Sequence, residues 1–190
     1  MKRLIDLLVA VLCLIIFSPL LLICYLAVKL EDGGPAIFKQ ERIGLGGKPF
    51  NIYKFRSMTI DKERDENALF GHEKNKNMTK IGRFLRDHHL DELPQLWNVV
   101  KGDMAFIGPR PERKYYIDLI TQHDPRYERL YALRPGVTSY ATLHNGYTDT
   151  MEKMLIRLEM DLYYLEHQSL WLDAKILMET FFSIISGRRF

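Results

Sequence analysis

LDELPQLWNVVKGDMAFIGPRPE, residues 90–112, places charge, proline and glycine in an order that packing alone does not require. Asp91 and Glu92 are adjacent acids ahead of Leu93-Pro94, and proline is best tolerated in the first turn of a helix, where its missing N–H costs nothing. The two acids therefore sit at a helix N-terminus. Free N–H groups and the helix dipole stabilise ionised carboxylates there and, beside them, phosphate. The helix runs over residues 95–100 and stops at Lys101-Gly102, a basic last turn before a glycine able to take left-handed φ. Next come Asp103 and the turn Gly108-Pro109-Arg110-Pro111, in which two prolines stiffen the backbone of an arginine; a fixed guanidinium suits phosphate. Taken alone, an acidic pair before proline is a charged cap, and that plain reading stands beside the functional one.

Outward from this stretch, the 190 residues fit one domain, and 47% hydrophobic residues is ordinary for a globular protein, but the apolar residues are unevenly placed. Residues 4–28 carry a single charge, Asp6. As a straight helix they would extend about 38 Å, enough for a hydrocarbon core of about 30 Å, so this is a membrane segment. A cleaved signal peptide is disfavoured because the run is too long and lacks a small-residue cleavage site. Ser18-Pro19 falls at its middle, where proline removes the bond to the Ile15 carbonyl and Ser18 can bond back to that of Leu14. Lys29, Lys39, Arg42, Lys48, Lys54 and Arg56 follow the segment and only Lys2 and Arg3 precede it, which keeps the C-terminal side cytosolic. A kinked span and a hairpin with both ends inside both satisfy that rule. The net charge of +3 favours an anionic partner only weakly, and no basic run with interleaved aromatics supports nucleic acid. Cys13 and Cys24 both lie in the apolar run, too far apart for a disulfide, and no thiolate zinc site is available.

The remainder reads as α+β, mainly helical. Residues 36–40 and 50–55 form a hairpin around Gly44-Leu45-Gly46-Gly47, a turn rather than a phosphate cradle because no strand-loop-helix context surrounds it. Lys54 and Arg56, at period two, share one side of an extended strand; that two-cation face is solvated, lipid-bound or part of a site. Residues 61–77 are charged and patternless, a mobile solvated loop. Residues 79–89 carry Ile81, Phe84 and Leu85 beside Lys80, Arg83 and Arg86, an amphipathic helix for a bilayer interface or an ordinary surface helix. His88 and His89 have no third ligand spaced to join them. Residues 113–122 form a helix, and Arg134-Pro135-Gly136 opens into a β-prone run over 137–143. Asp149 with Glu152 resembles a capping box before a helix to residue 167. Ser169 caps a last helix that ends before Gly187, carries few charges and finishes at Arg188-Arg189, either deeply packed or half in lipid.

Leu90, Asp91, Glu92, Leu93, Pro94, Gln95, Leu96, Asn98, Val99, Gly102, Asp103, Met104, Gly108, Pro109, Arg110 and Pro111 together resemble the signature of bacterial monotopic small phosphoglycosyl transferases. The resemblance resumes at Gly34, Pro35, Gln40, Arg42, Gly44, Gly47, Lys54, Phe55, Arg56, Ser57 and Met58. It departs at His89, where a small hydroxyl residue is usual, at Ala105, where serine is common, and at Ser139, Tyr140 and Thr142, where Gly, Trp and Gln are commoner. The last three leave sugar recognition open.

The resemblance implies a re-entrant membrane helix over residues 1–30, broken at Ser18-Pro19, and a cytosolic interfacial catalytic domain over 31–190. It implies transfer of a sugar-1-phosphate from a UDP-sugar to undecaprenyl phosphate with release of UMP, the first membrane step of glycan assembly, at the cytosolic face of a bacterial inner membrane. In that scheme Asp91 is the nucleophile and a ligand of Mg²⁺, and Glu92 is a base or metal partner. Arg110 between Pro109 and Pro111, with Lys54, Arg56 and Arg134, binds the donor. Implied partners are the UDP-sugar, undecaprenyl phosphate, membrane lipid and downstream glycosyltransferases. Short members begin N-linked, capsular or O-antigen glycans, and the reading leans to N,N′-diacetylbacillosamine, as in the diacetylbacillosamine-phosphate transferase of N-linked glycosylation. Two other classes compete: a membrane-tethered nucleotide-sugar binding or scaffold protein without turnover, and a membrane-bound phosphohydrolase.

Overall fold

Pro19 has no N–H to offer the Ile15 carbonyl, and the first apolar run breaks there. In the computed structural model, which describes residues 1–59, 77–146, 148 and 150–186, α1 (Lys2–Ile16) and α2 (Ser18–Asp32) meet at Phe17 with a bend of 64°. Ser18 Oγ donates to the Ile15 carbonyl at 2.8 Å, so the acceptor that proline strands is the one the hydroxyl takes, rather than that of Leu14. Among the described residues no single helix is long and apolar enough to cross a membrane; only this bent pair passes, by length and composition.

Both ends of the pair are tied to the rest of the chain. Lys2 Nζ donates to the Ile107 carbonyl at 3.0 Å and the Tyr164 hydroxyl at 2.9 Å, and it pairs with Asp173. Arg3 donates to the Val99 and Val100 carbonyls. At the other end, Gly33 in the left-handed region (φ 75) stops α2, Asp32 pairs with Arg56, and Glu31 accepts from the Lys80 and Ile81 N–H groups. Between these ties Ala10 of α1 packs against Val99, Met104 and Ile52.

The hairpin forms as its turn residues require. β1 (Ile37–Ile43) and β2 (Pro49–Phe55) pair antiparallel with Phe38 opposite Lys54, and the 3₁₀ turn Leu45–Gly47 between them holds Gly46 and Gly47 at φ 67 and 71. α3 (Lys80–Asp87) is capped by Thr79 Oγ, which accepts from the Gly82 N–H at 2.9 Å. Leu85 and Ile81, one turn apart, face Val28 and Phe55, whereas Phe84 is 55% exposed against His88, so the packed stripe is narrower than the sequence suggested.

The central stretch departs from expectation in one detail: Asp91 and Glu92 occupy their own 3₁₀ turn (Leu90–Glu92), and Pro94 is the cap of α4 (Gln95–Lys101), not its first residue. Gly102, at φ 91, ends α4 as expected. β3 (Ala105–Ile107) and β4 (Gly136–Thr138) pair in parallel. The β-prone run over 137–143 stops being strand at Thr138, because Ser139 Oγ accepts the Thr142 N–H at 2.9 Å and starts α6 (Tyr140–Asn145). α5 (Lys114–His123), the 3₁₀ stretch Pro125–Ala132 and α7 (Met151–His167) enclose a core of Tyr116, Ile117, Ile120, Tyr127, Leu130, Leu158 and Leu162. Thr150 caps α7 with an acceptor for the Lys153 N–H; Asp149 lies outside the described residues, as do 61–76 of the expected loop and 187–190. α8 (Leu170–Ile185), capped by Ser169, buries Leu172, Asp173 and Ile176 and turns Trp171, Met178, Phe181 and Phe182 outward. The result is α+β and mainly helical, with two small two-stranded sheets.

Candidate active site

The turn that carries the acid pair is reached through His89, the described non-glycine residue with left-handed φ (56). That reversal separates α3 from the 3₁₀ turn and presents the acids to a cavity of about 440 Å³. β2 contributes Lys54 to its wall, the end of α3 contributes Arg86 and Asp87, and the loop after β3 contributes Arg110. Thr138, Thr142 and Thr148 line it from β4 onward, with Arg157 of α7 and Thr180 of α8.

The two acids have different environments. Glu92 Oε1 lies 2.6 Å from Lys54 Nζ; burial alone would raise its carboxyl, but Lys54 and Arg110 outweigh burial and bring it down to about 2. Asp91 is 7% exposed and has no hydrogen bond or ion pair among the described residues. Burial pushes its carboxyl above the ordinary aspartate value, opposed by Lys54 and reinforced by the charge of Glu92. One carboxylate is thus held and ionised, and its neighbour is free to react or to take a cation.

Behind the cavity lies a buried charge group. Glu112 pairs with Arg157 at 2.7 Å and Arg42 at 3.4 Å, and these guanidiniums keep its carboxyl low against the effect of burial. Arg42 also donates to the Pro111 carbonyl at 3.0 Å, and the Pro109 carbonyl accepts the Gly136 N–H at 3.0 Å, so the loop bearing Arg110 is fixed on both sides. Across β2 is an apolar hollow of about 400 Å³. Leu14, Leu21, Leu22 and Tyr25 of the bent pair line it, with Ile37, Tyr53, Phe55, Pro94 and Trp97. Strand alternation divides the two spaces, since Lys54 faces the charged cavity while Tyr53 and Phe55 face the hollow.

The model of the family described as "Bacterial sugar transferase" matches residues 1–187. The chain belongs to the bacterial sugar transferase family. It is 40% identical over 186 residues to a UDP-N-acetylgalactosamine-undecaprenyl-phosphate N-acetylgalactosaminephosphotransferase of Aeromonas hydrophila, covering 98% of this chain and 44% of the relative. It is 43% identical over 183 residues to a UDP-glucose:undecaprenyl-phosphate glucose-1-phosphate transferase of Klebsiella pneumoniae, covering 95% and 39%. A transferase of the latter description from Caulobacter vibrioides is 41% identical over 187 residues, covering 97% and 70%. The chain therefore spans less than half the length of the first two relatives.

In this member of the bacterial sugar transferase family, Lys54, Asp91, Glu92 and Arg110 come together in one cavity. Pro109 and Pro111 flank it and act through their backbones. Arg56 and Arg134 stand elsewhere. β2 ends at Phe55, so the period-two register does not extend to Arg56, which is buried against Asp32 and the Pro35 carbonyl. Arg134 Nε donates to the Gly102 carbonyl at 3.0 Å and so caps the end of α4. Sequence reading missed Arg86, Arg157, Thr148 and Thr180; the available signal for Arg157 was a basic residue on the apolar face of α7, beside Leu158 and Leu162.

Proposed function

We propose that the protein transfers a sugar-1-phosphate from a UDP-sugar to undecaprenyl phosphate. The observation that carries this reading is Asp91, a buried carboxylate with no partner among the described residues, in a cavity whose wall also bears Lys54, Arg86, Arg110 and Arg157. Each like-charge contact between a carboxylate and a diphosphate at 4 Å costs about 4 kcal/mol at an effective dielectric of 20, so a nucleophilic acid here needs cations around it. The Asp91 carboxylate attacks the β-phosphorus, the bond from that phosphorus to the bridging oxygen breaks, and UMP leaves with that oxygen and its electron pair. A phosphate oxygen of the lipid then attacks the same phosphorus, and Asp91 is released as carboxylate. Glu92, ionised and held by Lys54, serves as charge partner rather than base, because a carboxyl brought down to about 2 takes up a proton poorly near neutral pH.

The donor set fits Mg²⁺, which takes one or two carboxylates together with substrate phosphates; Asp91, or Glu92 once released from Lys54, would hold it. When bound, the ion neutralises diphosphate charge. Lys54 and Arg110 orient the phosphates in either case.

The lipid acceptor is supported by the hollow across β2, an apolar space beside the charged cavity and lined by the bent helix pair. The same pair supports a re-entrant anchor at the cytosolic leaflet of a bacterial inner membrane, because both its ends are tied to one body. The relatives are named for glucose and for N-acetylgalactosamine, so the donor panel includes both, with UDP-N,N′-diacetylbacillosamine beside them. Incubating detergent-solubilised protein with Mg²⁺ and this panel is expected to release UMP with one donor, to leave a phosphosugar mass on Asp91, and to yield lipid-linked product once undecaprenyl phosphate is added. Asp91→Asn is expected to lower UMP release by at least a thousandfold. Full activity in Asp91→Asn, or no UMP with any donor, sinks the reading.

A further inference from the structure

Arg157 projects from α7 into the cavity wall and is only 6% exposed. Charged side chains are almost never buried to this degree unless paired. Its Nη2 lies 2.7 Å from Glu112 Oε1 and its Nη1 donates to Thr148 Oγ1 at 2.8 Å. Those contacts set the plane of the guanidinium, yet among the described residues they engage only two of its five N–H groups.

Charge around it does not balance. Arg42 also pairs with Glu112, and Arg110 acts on both Glu112 and Glu92, so three guanidiniums gather about one firmly ionised carboxylate. The second acid of the group, Asp161, is pushed up to about 7 by burial, against the pull of Arg157, and so supplies less than a full negative charge near neutrality. Excess positive charge in a partly dry wall is unfavourable until an anion arrives, and a planar fork with spare N–H groups is the form that grips phosphate.

We propose that Arg157 is a second phosphate-binding guanidinium of the donor site, gripping the diphosphate of the nucleotide sugar together with Arg110. This rests on the transferase reading above and adds a donor contact to it. Glu112 and Thr148 keep the fork aimed, so the donor meets a cation already oriented. Arg42, which spends its bonds on Gln40, Pro111 and Glu112, remains structural.

The test is calorimetric binding of UDP, and separately of inorganic pyrophosphate, to the full chain in detergent. Arg157→Lys keeps the charge and removes the fork. Both affinities are expected to fall about 10- to 100-fold, with KM for the UDP-sugar rising by a similar factor, kcat moving less and KM for undecaprenyl phosphate unchanged. Arg157→Gln removes the guanidinium and leaves Glu112 paired with Arg42, and the same loss is expected if the lysine variant fails to fold. Wild-type affinity for UDP in a folded variant, or weakened UDP binding with pyrophosphate unaffected, overturns this proposal and leaves the transferase reading standing. Wild-type protein that binds no UDP overturns both.

Discussion

Asp91 and Glu92 are adjacent in sequence, yet burial prevails at Asp91 while Lys54 and Arg110 prevail over burial at Glu92, so the two carboxyls shift in opposite directions. If Asp91 attacks as a carboxylate, its raised value sets the acid limb of the reaction: single-turnover UMP release should fall away at a pH above the ordinary aspartate value of 3.8, while Glu92 stays ionised down to about 2. Glu92→Gln removes the like charge and frees Lys54, so that limb should move to lower pH; a limb that stays in place would remove Glu92 from the electrostatics of Asp91. Asp161 gives a separate prediction. Its folded value of about 7 lies above the ordinary 3.8, so the native chain keeps a proton that the unfolded chain gives up. That contribution is fully present below pH 3.8 and is lost as pH rises to about 7. Asp161→Asn should flatten the decline and stand about 2–4 kcal/mol above wild type at pH 8 in denaturant unfolding. Asp91, Glu92 and Arg110 stood out in the sequence because charge beside proline is a local signal, and Lys54 stood out through strand alternation and the family resemblance. Arg157 did not, because a charge on an apolar helix face reads the same whether it meets a cavity or only a buried acid.

Among the elements, the helix breaks and caps were the most legible, since Pro19, Gly102 and Ser169 act within a turn of themselves. The parallel pairing of β3 with β4 was not, because each strand is three residues long and its stability comes from contacts made across the fold. Gly108 and Gly136 are where that pairing becomes tight. A Cβ on Gly108 would collide with the Arg134 carbonyl, and one on Gly136 with the Gly108 backbone. Neither neighbour is a flexible side-chain end that could swing aside. Gly108→Ala should therefore cost about 2–4 kcal/mol in thermal or denaturant unfolding and, by moving the adjacent Arg110, weaken UDP binding as well. Gly46→Ala offers the comparison: its φ of 67 is strained for alanine but nothing lies within 4 Å, so about 1 kcal/mol is expected, with donor affinity unchanged.

At the scale of the whole molecule, the question is whether the bent pair crosses a bilayer or returns. α1 has 15 residues and extends about 22 Å, less than a hydrocarbon core of about 30 Å, so a crossing needs both helices roughly in line. The 64° bend opposes that, and straightening it would restore no bond at Pro19, which has no N–H to give. Crossing would also carry Lys2 and Arg3 away from Asp173, Tyr164 and the carbonyls that close α4, while Asp32 and Glu31 stay with Arg56 and α3. Giving up these partly buried charged contacts is a cost of crossing that the returning arrangement proposed above does not carry. The returning arrangement predicts that residues 1 and 101 face the same side of the membrane. With Cys13 and Cys24 replaced by alanine, single cysteines introduced as Met1→Cys and Lys101→Cys should both resist a membrane-impermeant maleimide in intact spheroplasts and both react in inverted vesicles. Labelling of position 1 alone from outside would mean that the pair spans, and would break the argument that joins its bend to the charged ties at its ends.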